Sequence, residues 1–419
     1  MNKERLKEIM LDQKEVFSGK TDLKERDISL DTYIKTSQVV VITGVRRCGK
    51  SSLLFLLKQK MQLNNEDFCY FNFDDERIIN ETSLPEEIDN IHRELYSKDA
   101  ILFLDEIQII DGWEKFVNRM YEQGRKIFVT GSNASILSSE ISSSLTGRNL
   151  TLELFPFSFN EFIRFKNHKF QLNKLSSKDK SQLIADFDYF FYHGGFPLVI
   201  KDDDLEILDP YFKDILYRDI IARYRLSQVN EVKQIGLYFL ANSSKIFSYA
   251  TLQKISGVKS TSSIKDYLHY YTQSYLFFYL RKFDYSVKKQ TLNPKKAYSI
   301  DQGFIHRIGF SFSTNKGRIL ENIVYIELLR NKKEVYYYSG KGECDFVIKQ
   351  GITITQAIQV SYNLNKENVD RELAGLMEAM KEFNLKNGLL IYYDNEIEEQ
   401  KLPAEIEMVP VWKWLLNYN

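Results

Sequence analysis

Apolar residues up to position 155 fall into two repeating kinds of stretch. Short continuous runs occur at 39–43 (VVVIT), 68–73 (FCYFNF), 100–105 (AILFLD), 126–133 (KIFVTGSN) and 149–155 (NLTLELF). Runs of this length, rich in β-branched and aromatic residues and closed by turn formers, predict buried strands. Between them, 52–61, 84–97 and 113–123 carry apolar residues at helical spacing or strong helix formers. Strands alternating with helices predict an α/β unit on a parallel sheet. Ahead of it, residues 1–17 form an amphipathic helix that either covers this unit or lies in solvent, the second being the plainer expectation. The pattern beyond residue 157 becomes mainly helical. At 228–292 it gives three short helices (229–241, 249–255, 260–273) and an alternating ribbon, 275–281 with 286–292. From residue 298 an α/β texture returns.

The turn after the first strand carries the most chemistry. Gly44 and Gly49 are four residues apart and are followed by Lys50 and Ser51, the full spacing of a phosphate-binding loop between a strand and a helix. The glycines let the N–H groups of Gly44, Val45, Arg46, Arg47, Cys48, Gly49, Lys50, Ser51 and Ser52 turn towards phosphate oxygens. Lys50 is placed to meet the β- and γ-phosphates of ATP, and Ser51 to hold Mg²⁺. Hydrolysis needs a second strand ending in acid. Asp105 and Glu106 close the run AILFLDE, where Asp105 would hold Mg²⁺ and Glu106 would polarise water. At the end of the fourth strand, Ser132 and Asn133 could sense the γ-phosphate or equally cap a helix at 134–137.

Charge narrows the partners. Lys plus Arg and Asp plus Glu each number 57 among 419 residues, so no net field draws in nucleic acid or a membrane, and any such surface must be local. Three scattered cysteines, Cys48, Cys69 and Cys344, fit a reducing compartment and give no paired zinc motif. With no apolar run approaching ~20 residues and no leader-like start, a soluble cytoplasmic protein is expected. The 26 Tyr and 29 Phe are spread along the chain and read as core and interface material.

The order of phosphate loop, acid strand, sensor strand, helix and final strand resembles the AAA-type ATPases. The resemblance puts Arg148, just before the last strand, in the place of an arginine finger that reaches a neighbouring subunit's γ-phosphate. It thereby implies a homo-oligomer. GVRRCGKSS, LDEIQ with a nearby Trp, TGSN, TGR, LFPFSFNEF and HGGFP together resemble a large bacterial and archaeal group of P-loop ATPases with an AAA-type core and an uncharacterised C-terminal domain. The lid departs from the wider AAA pattern. It has Gly194, Gly195 and Pro197 where a sensor arginine is usual, and no spacing selects among Arg218, Arg223 and Arg225.

The expected architecture is therefore α/β: a P-loop AAA-type core with its N-terminal helix (1–157), a helical lid (158–227), a winged helix (228–293) and a restriction-endonuclease-like domain (294–419). On the winged helix, Lys259, Ser260, Ser262 and Lys265 at a helix start, with Lys282, Lys288 and Lys289 on the ribbon, suit phosphate and groove contact with DNA. In the end domain, Glu321 on a helix, Asp345 at a strand start and Gln359 on the next strand follow the order of a nuclease metal site. The third position, however, has lost its acid and its lysine, leaving Lys349 or Lys366 to supply the charge. This predicts a site without cleavage. Two functions follow: Mg²⁺-dependent ATP hydrolysis coupled to duplex or branched DNA, or a nucleotide-dependent switch acting on protein partners without DNA.

Overall fold

A computed structural model of the chain describes residues 2–21, 23–134, 145–309, 316–395 and 402–417. The chain divides into two compact units, Met1–Phe155 with Gln273–Tyr275, and Pro156–Thr272 with Leu276–Asn419.

The first unit is built on β1 (Val39–Thr43), β2 (Phe68–Asn72), β3 (Ile101–Asp105), β4 (Ile127–Gly131) and β5 (Asn149–Glu153). All its ladders are parallel, in the order β2-β3-β4-β1-β5. Every residue of β1 and β4 is buried, which explains why these strands read as unbroken apolar runs. Helices Lys50–Lys60, Leu84–Tyr96 and Trp113–Glu122 follow β1, β2 and β3. One core joins Val41, Phe71, Leu104, Trp113 and Val129.

The N-terminal helix, Lys3–Ser18, is packed rather than solvated. It buries Leu6, Ile9, Met10 and Phe17, a gain of about 1.5–3 kcal/mol for each large side chain. Phe17 stacks on Tyr70 with ring centres 3.9 Å apart. Gln13 completes the attachment at the sheet edge: its amide donates to the Asn72 carbonyl (3.1 Å) and its Oε1 accepts the Asn72 N–H (2.8 Å). The many exposed charges on the outer face masked this packing in the sequence.

The second unit opens with helices Phe159–Phe165 and Ser177–His193, each begun by a reciprocal cap, Ser158 with Glu161 and Ser176 with Asp179. Helix Pro197–Asp202 follows, and Leu208–Asp214 continues as a wider π-helical segment, Ile215–Ala222. The paired glycines of HGGFP are explained by Asp301 at Gly194 and by Phe157 at Gly195, where a Cβ would lie 2.2 Å from the Phe157 carbonyl oxygen. Gly194 has φ +78°, and a Cβ there would lie 1.8 Å from Asp301 Oδ1, while the Gly195 N–H donates to Asp301 Oδ2 at 2.7 Å.

Next come helix Val229–Ala241, β6 (Ile246–Phe247), helices Tyr249–Ser256 and Thr261–Gln273, β7 (Phe277–Arg281), helix Val287–Leu292 and β8 (Lys295–Ser299). The three strands form an antiparallel sheet in the order β6-β8-β7. The second ribbon strand expected at 286–292 is thus a helix, and the returning strand lies further on. Asp284 fixes this turn: its carboxylate accepts the Ser286 N–H (2.9 Å) and its carbonyl accepts from the Gln290 amide (2.6 Å).

The end of the unit carries helices Gln302–Ile308 and Lys316–Arg330, then β9 (Glu334–Ser339), β10 (Glu343–Gln350), β11 (Thr353–Leu364), helix Val369–Glu382, β12 (Gly388–Asn395), β13 (Ile406–Pro410) and helix Val411–Asn417. The sheet order is β13-β12-β11-β10-β9. β9, β10 and β11 pair antiparallel, whereas β11, β12 and β13 pair parallel. Cys344, Val347, Ala357, Leu376 and Leu390 form its core. Of the helix considered at 134–137, all but Ala134 lies outside the described residues.

Candidate phosphate-binding site and a buried ion cluster

β1 is flanked by β4 and β5, so its C-terminal loop opens between neighbouring strand ends. Gly44 has φ +149°, and a Cβ there would meet the Leu154 carbonyl oxygen at 2.1 Å, so only glycine fits. Gly49, at φ +106°, turns the chain into the helix that starts at Lys50. The Lys50 ammonium is buried, donating to the carbonyls of Gly44 (3.2 Å) and Val45 (3.3 Å) and standing 3.5 Å from Glu106 Oε1. Cys48 is buried inside the loop, and burial pushes its thiol up, so it packs rather than reacts.

The acid pair closes the other side. Asp105, at the end of β3, accepts from the Tyr70 hydroxyl (2.9 Å) and from Thr130 on β4, with the Ser51 hydroxyl close by. Burial and the adjacent Glu106 hold its carboxyl above the usual range, against the pull of the Ser51, Thr130 and Tyr70 hydroxyls. Glu106 sits at φ +56°, and its N–H donates to Thr130 Oγ1 at 2.9 Å. Burial works to raise Glu106, but Lys50 and Arg46 prevail and hold it below the usual range, with Gln108 donating to its carboxylate. A hydroxyl at the start of helix Lys50–Lys60 and a carboxylate at the end of β3, Ser51 and Asp105, are a fitting donor set for Mg²⁺.

Ser132 and Asn133 are buried just beyond β4. Arg46 pairs with Asp74 at 3.3 Å, and Arg47 is exposed at φ +70°. Arg148 is held on the flank of helix Trp113–Glu122, donating to Asn118 (2.6 Å) and Glu122 (2.9 Å). Sequence reasoning missed Thr130 and Tyr70, polar groups inside apolar strands, where a hydroxyl needs a buried partner. It also missed Lys20, which donates to the Ser51 carbonyl (3.2 Å), and Arg26, which clamps the carbonyls of Cys48 (3.2 Å) and Phe155 (2.7 Å).

Among the residues expected on the helix start and ribbon, Lys259, Ser260, Ser262, Lys265, Lys288 and Lys289 are exposed, and Lys282 is half-buried. Ser260 Oγ accepts the Ser263 N–H (3.3 Å), which starts helix Thr261–Gln273. Tyr285, Val287 and Leu292 are exposed beside Lys288 and Lys289, on or just before helix Val287–Leu292.

In the end domain, Glu321, Asp345 and Gln359 do converge, around a cation that the sequence did not suggest. Lys296 on β8 is 3% exposed, and its ammonium lies 2.8 Å from Glu321 Oε1, 3.2 Å from Asp345 Oδ1 and 2.7 Å from Glu343 Oε1. Neither expected substitute takes this position: Lys349 is paired with Glu334 (2.9 Å), and Lys366 is exposed. Gln359 accepts the Asp345 N–H (3.3 Å) and donates to Glu372 (2.7 Å). Burial and Glu321 push Asp345 up to about 8, against the pull of Lys296. A cleft of about 680 Å³ opens beside the cluster, edged by Arg318, Lys341 and Arg371. Among the described residues no group of three or more His, Cys, Asp or Glu could hold a metal ion, and no helix is long and apolar enough to cross a membrane.

Residues 36–163 match the model of a family described as an AAA domain, while 184–314 and 316–414 match two domains of unknown function, DUF8612 and DUF4143. An uncharacterized protein of Methanocaldococcus jannaschii, MJ1544, is 37% identical over 98% of this chain and 95% of its own length. An uncharacterized protein of Haemophilus influenzae is 31% identical over 93% of this chain and 99% of its own. Among solved structures, AMPPCP-bound DnaA from Aquifex aeolicus is 16% identical, covering 57% of this chain and 83% of that one with a TM-score of 0.30. The replication initiator DnaA bound to AMPPCP and single-stranded DNA is 14% identical, covering 62% and 91% with a TM-score of 0.31. The chain therefore belongs, with the Methanocaldococcus and Haemophilus proteins, to a P-loop ATPase family in which an AAA domain precedes a C-terminal domain of unknown function.

Proposed function

We propose that the chain is a Mg²⁺-dependent ATP hydrolase whose turnover is coupled to DNA. The observation that carries the hydrolase is the meeting of Lys50, Ser51, Asp105 and Glu106 at the strand ends of one sheet. Lys50, now resting on loop carbonyls and Glu106, would turn to the β- and γ-phosphates, releasing Glu106 to orient water. Ser51 and Asp105 would hold Mg²⁺, which neutralises phosphate charge when bound. Thr130 fixes both acids from the neighbouring strand.

The DNA reading rests on the element order at 229–299. A helix, a short strand, two helices and the antiparallel pair β7 and β8 follow one another in the order that a winged helix would need, with exposed lysines at the third helix and on helix Val287–Leu292 between the paired strands. The preceding helices, 158–227, then act as the lid, and the end domain as a nuclease-like module that does not cleave. A second reading is favoured by exposed Tyr285, Val287 and Leu292, which suit a protein partner in a nucleotide-driven switch. The ATPase rate measured with duplex, single-stranded and four-way-junction DNA at low and moderate salt decides between them. Stimulation of severalfold by one form supports coupling to DNA, whereas a rate indifferent to every form leaves the protein-partnered switch.

A further inference from the structure

The nuclease-like arrangement of Glu321, Asp345 and Gln359 implies a divalent cation held between the first two, and the residues present do not fit one. The inward oxygens of both carboxylates already face the Lys296 ammonium, at 2.8 and 3.2 Å. Glu321 Oε1 also accepts from the Tyr298 hydroxyl (2.7 Å), and Asp345 Oδ2 accepts the Val360 N–H (3.1 Å). The third strand offers an amide, Gln359, with its oxygen turned to the Asp345 N–H and its nitrogen to Glu372. A cation placed between the carboxylates would meet an ammonium of like charge whose own side chain is only 3% exposed, so the repulsion at that short range is poorly screened.

We propose that Lys296 is a built-in replacement for the divalent cation: its ammonium neutralises the carboxylate pair, so the end domain is metal-independent and β8 is tied to helix Lys316–Arg330 and to β10. The lysine lost from the third strand is thus regained from elsewhere in the chain, but on top of the carboxylates rather than beside them. There it cannot orient water for attack on a phosphodiester. This inference extends the reading of a non-cleaving end domain and is independent of the ATPase site.

The test uses the full chain without nucleotide. Mn²⁺ occupancy is followed by electron paramagnetic resonance in the wild type, Asp345→Asn and Glu321→Gln, and melting is followed with EDTA and with Mn²⁺. The expected result is the same Mn²⁺ occupancy in all three proteins, with a wild-type melting temperature unchanged by EDTA. Lys296→Met leaves buried carboxylates without their counter-ion and should melt lower by roughly 5–10 °C. Lys296→Met/Glu321→Gln removes one charge from each side and should recover most of that loss, including the case in which the single variant fails to fold. A wild-type Mn²⁺ site lost in Asp345→Asn overturns the proposal. So does a Lys296→Met protein as stable as the wild type, or a double variant no more stable than the single one.

Discussion

Thr130 holds one hydroxyl between two acids with different tasks, receiving the Glu106 N–H while donating to Asp105. Removing the Glu106 carboxylate should lower turnover by ~10²–10⁴-fold in Glu106→Gln with nucleotide binding retained. Steady-state hydrolysis alongside fluorescent-nucleotide binding checks this, and normal turnover would move the base elsewhere. Thr130→Val acts one step back. It should raise the Mg²⁺ concentration for half-maximal turnover by roughly 10-fold or more, with Thr130→Ser close to wild type. An unchanged Mg²⁺ titration would make Thr130 a packing residue only.

At the scale of elements, helix Leu84–Tyr96 carries a pH-sensitive contact. Burial, with Lys14 nearby, depresses the His92 imidazole to about 4, outweighing Asp89 and the 3.3 Å contact with the Glu66 carbonyl. In the unfolded chain His92 takes up its proton near pH 6.5, whereas in the folded chain it does so only near 4. Between those values the unfolded state binds more protons, so stability falls as pH falls through that window. Denaturant unfolding from pH 7.5 to 4.5 should show a shallower decline for His92→Gln than for the wild type. Parallel declines would place the acid sensitivity elsewhere. On helix Val287–Leu292, Lys288→Glu/Lys289→Glu should weaken DNA binding and flatten the slope of log affinity against log salt by about 2. A slope that does not move would take these lysines off the DNA.

The same elements show how far the sequence could be read. The phosphate loop and the acid pair were legible because each is a short local run whose backbone and chemistry are set within a few residues. The ribbon was misread because 286–292 offers apolar positions compatible with alternation, while the turn is decided by the Asp284 carboxylate. The true returning strand is headed by Lys295 and Lys296, which look like surface residues. For Lys296 the reason is separation: its acids lie 25 and 49 residues away, and only the packing of β8 brings them together. The N-terminal helix hid its role similarly, since one glutamine fixed it to a strand edge 59 residues on.

For the whole molecule, with zero net charge, any contact with a second subunit or with DNA would have to depend on local groups. Arg148 is the clearest case. Within one chain it braces Asn118 and Glu122 and lies over the Tyr121 ring, with its side chain 41% exposed. If it serves a neighbouring subunit, Arg148→Ala should lose ~10³-fold in turnover, and mixing it with Lys50→Ala subunits should restore part of the activity. Inactive protein that mixing does not rescue would confine Arg148 to its own subunit. The Gln13 contact has a further consequence for dissecting the molecule. The AAA match begins at residue 36, but β2 is the outer strand of its sheet, and the Gln13 amide stands where another chain's strand would add. A fragment cut at residue 36 would therefore bare a growing edge and polymerise strand to strand, so an ATPase core made on its own has to keep its N-terminal helix to stay a single species.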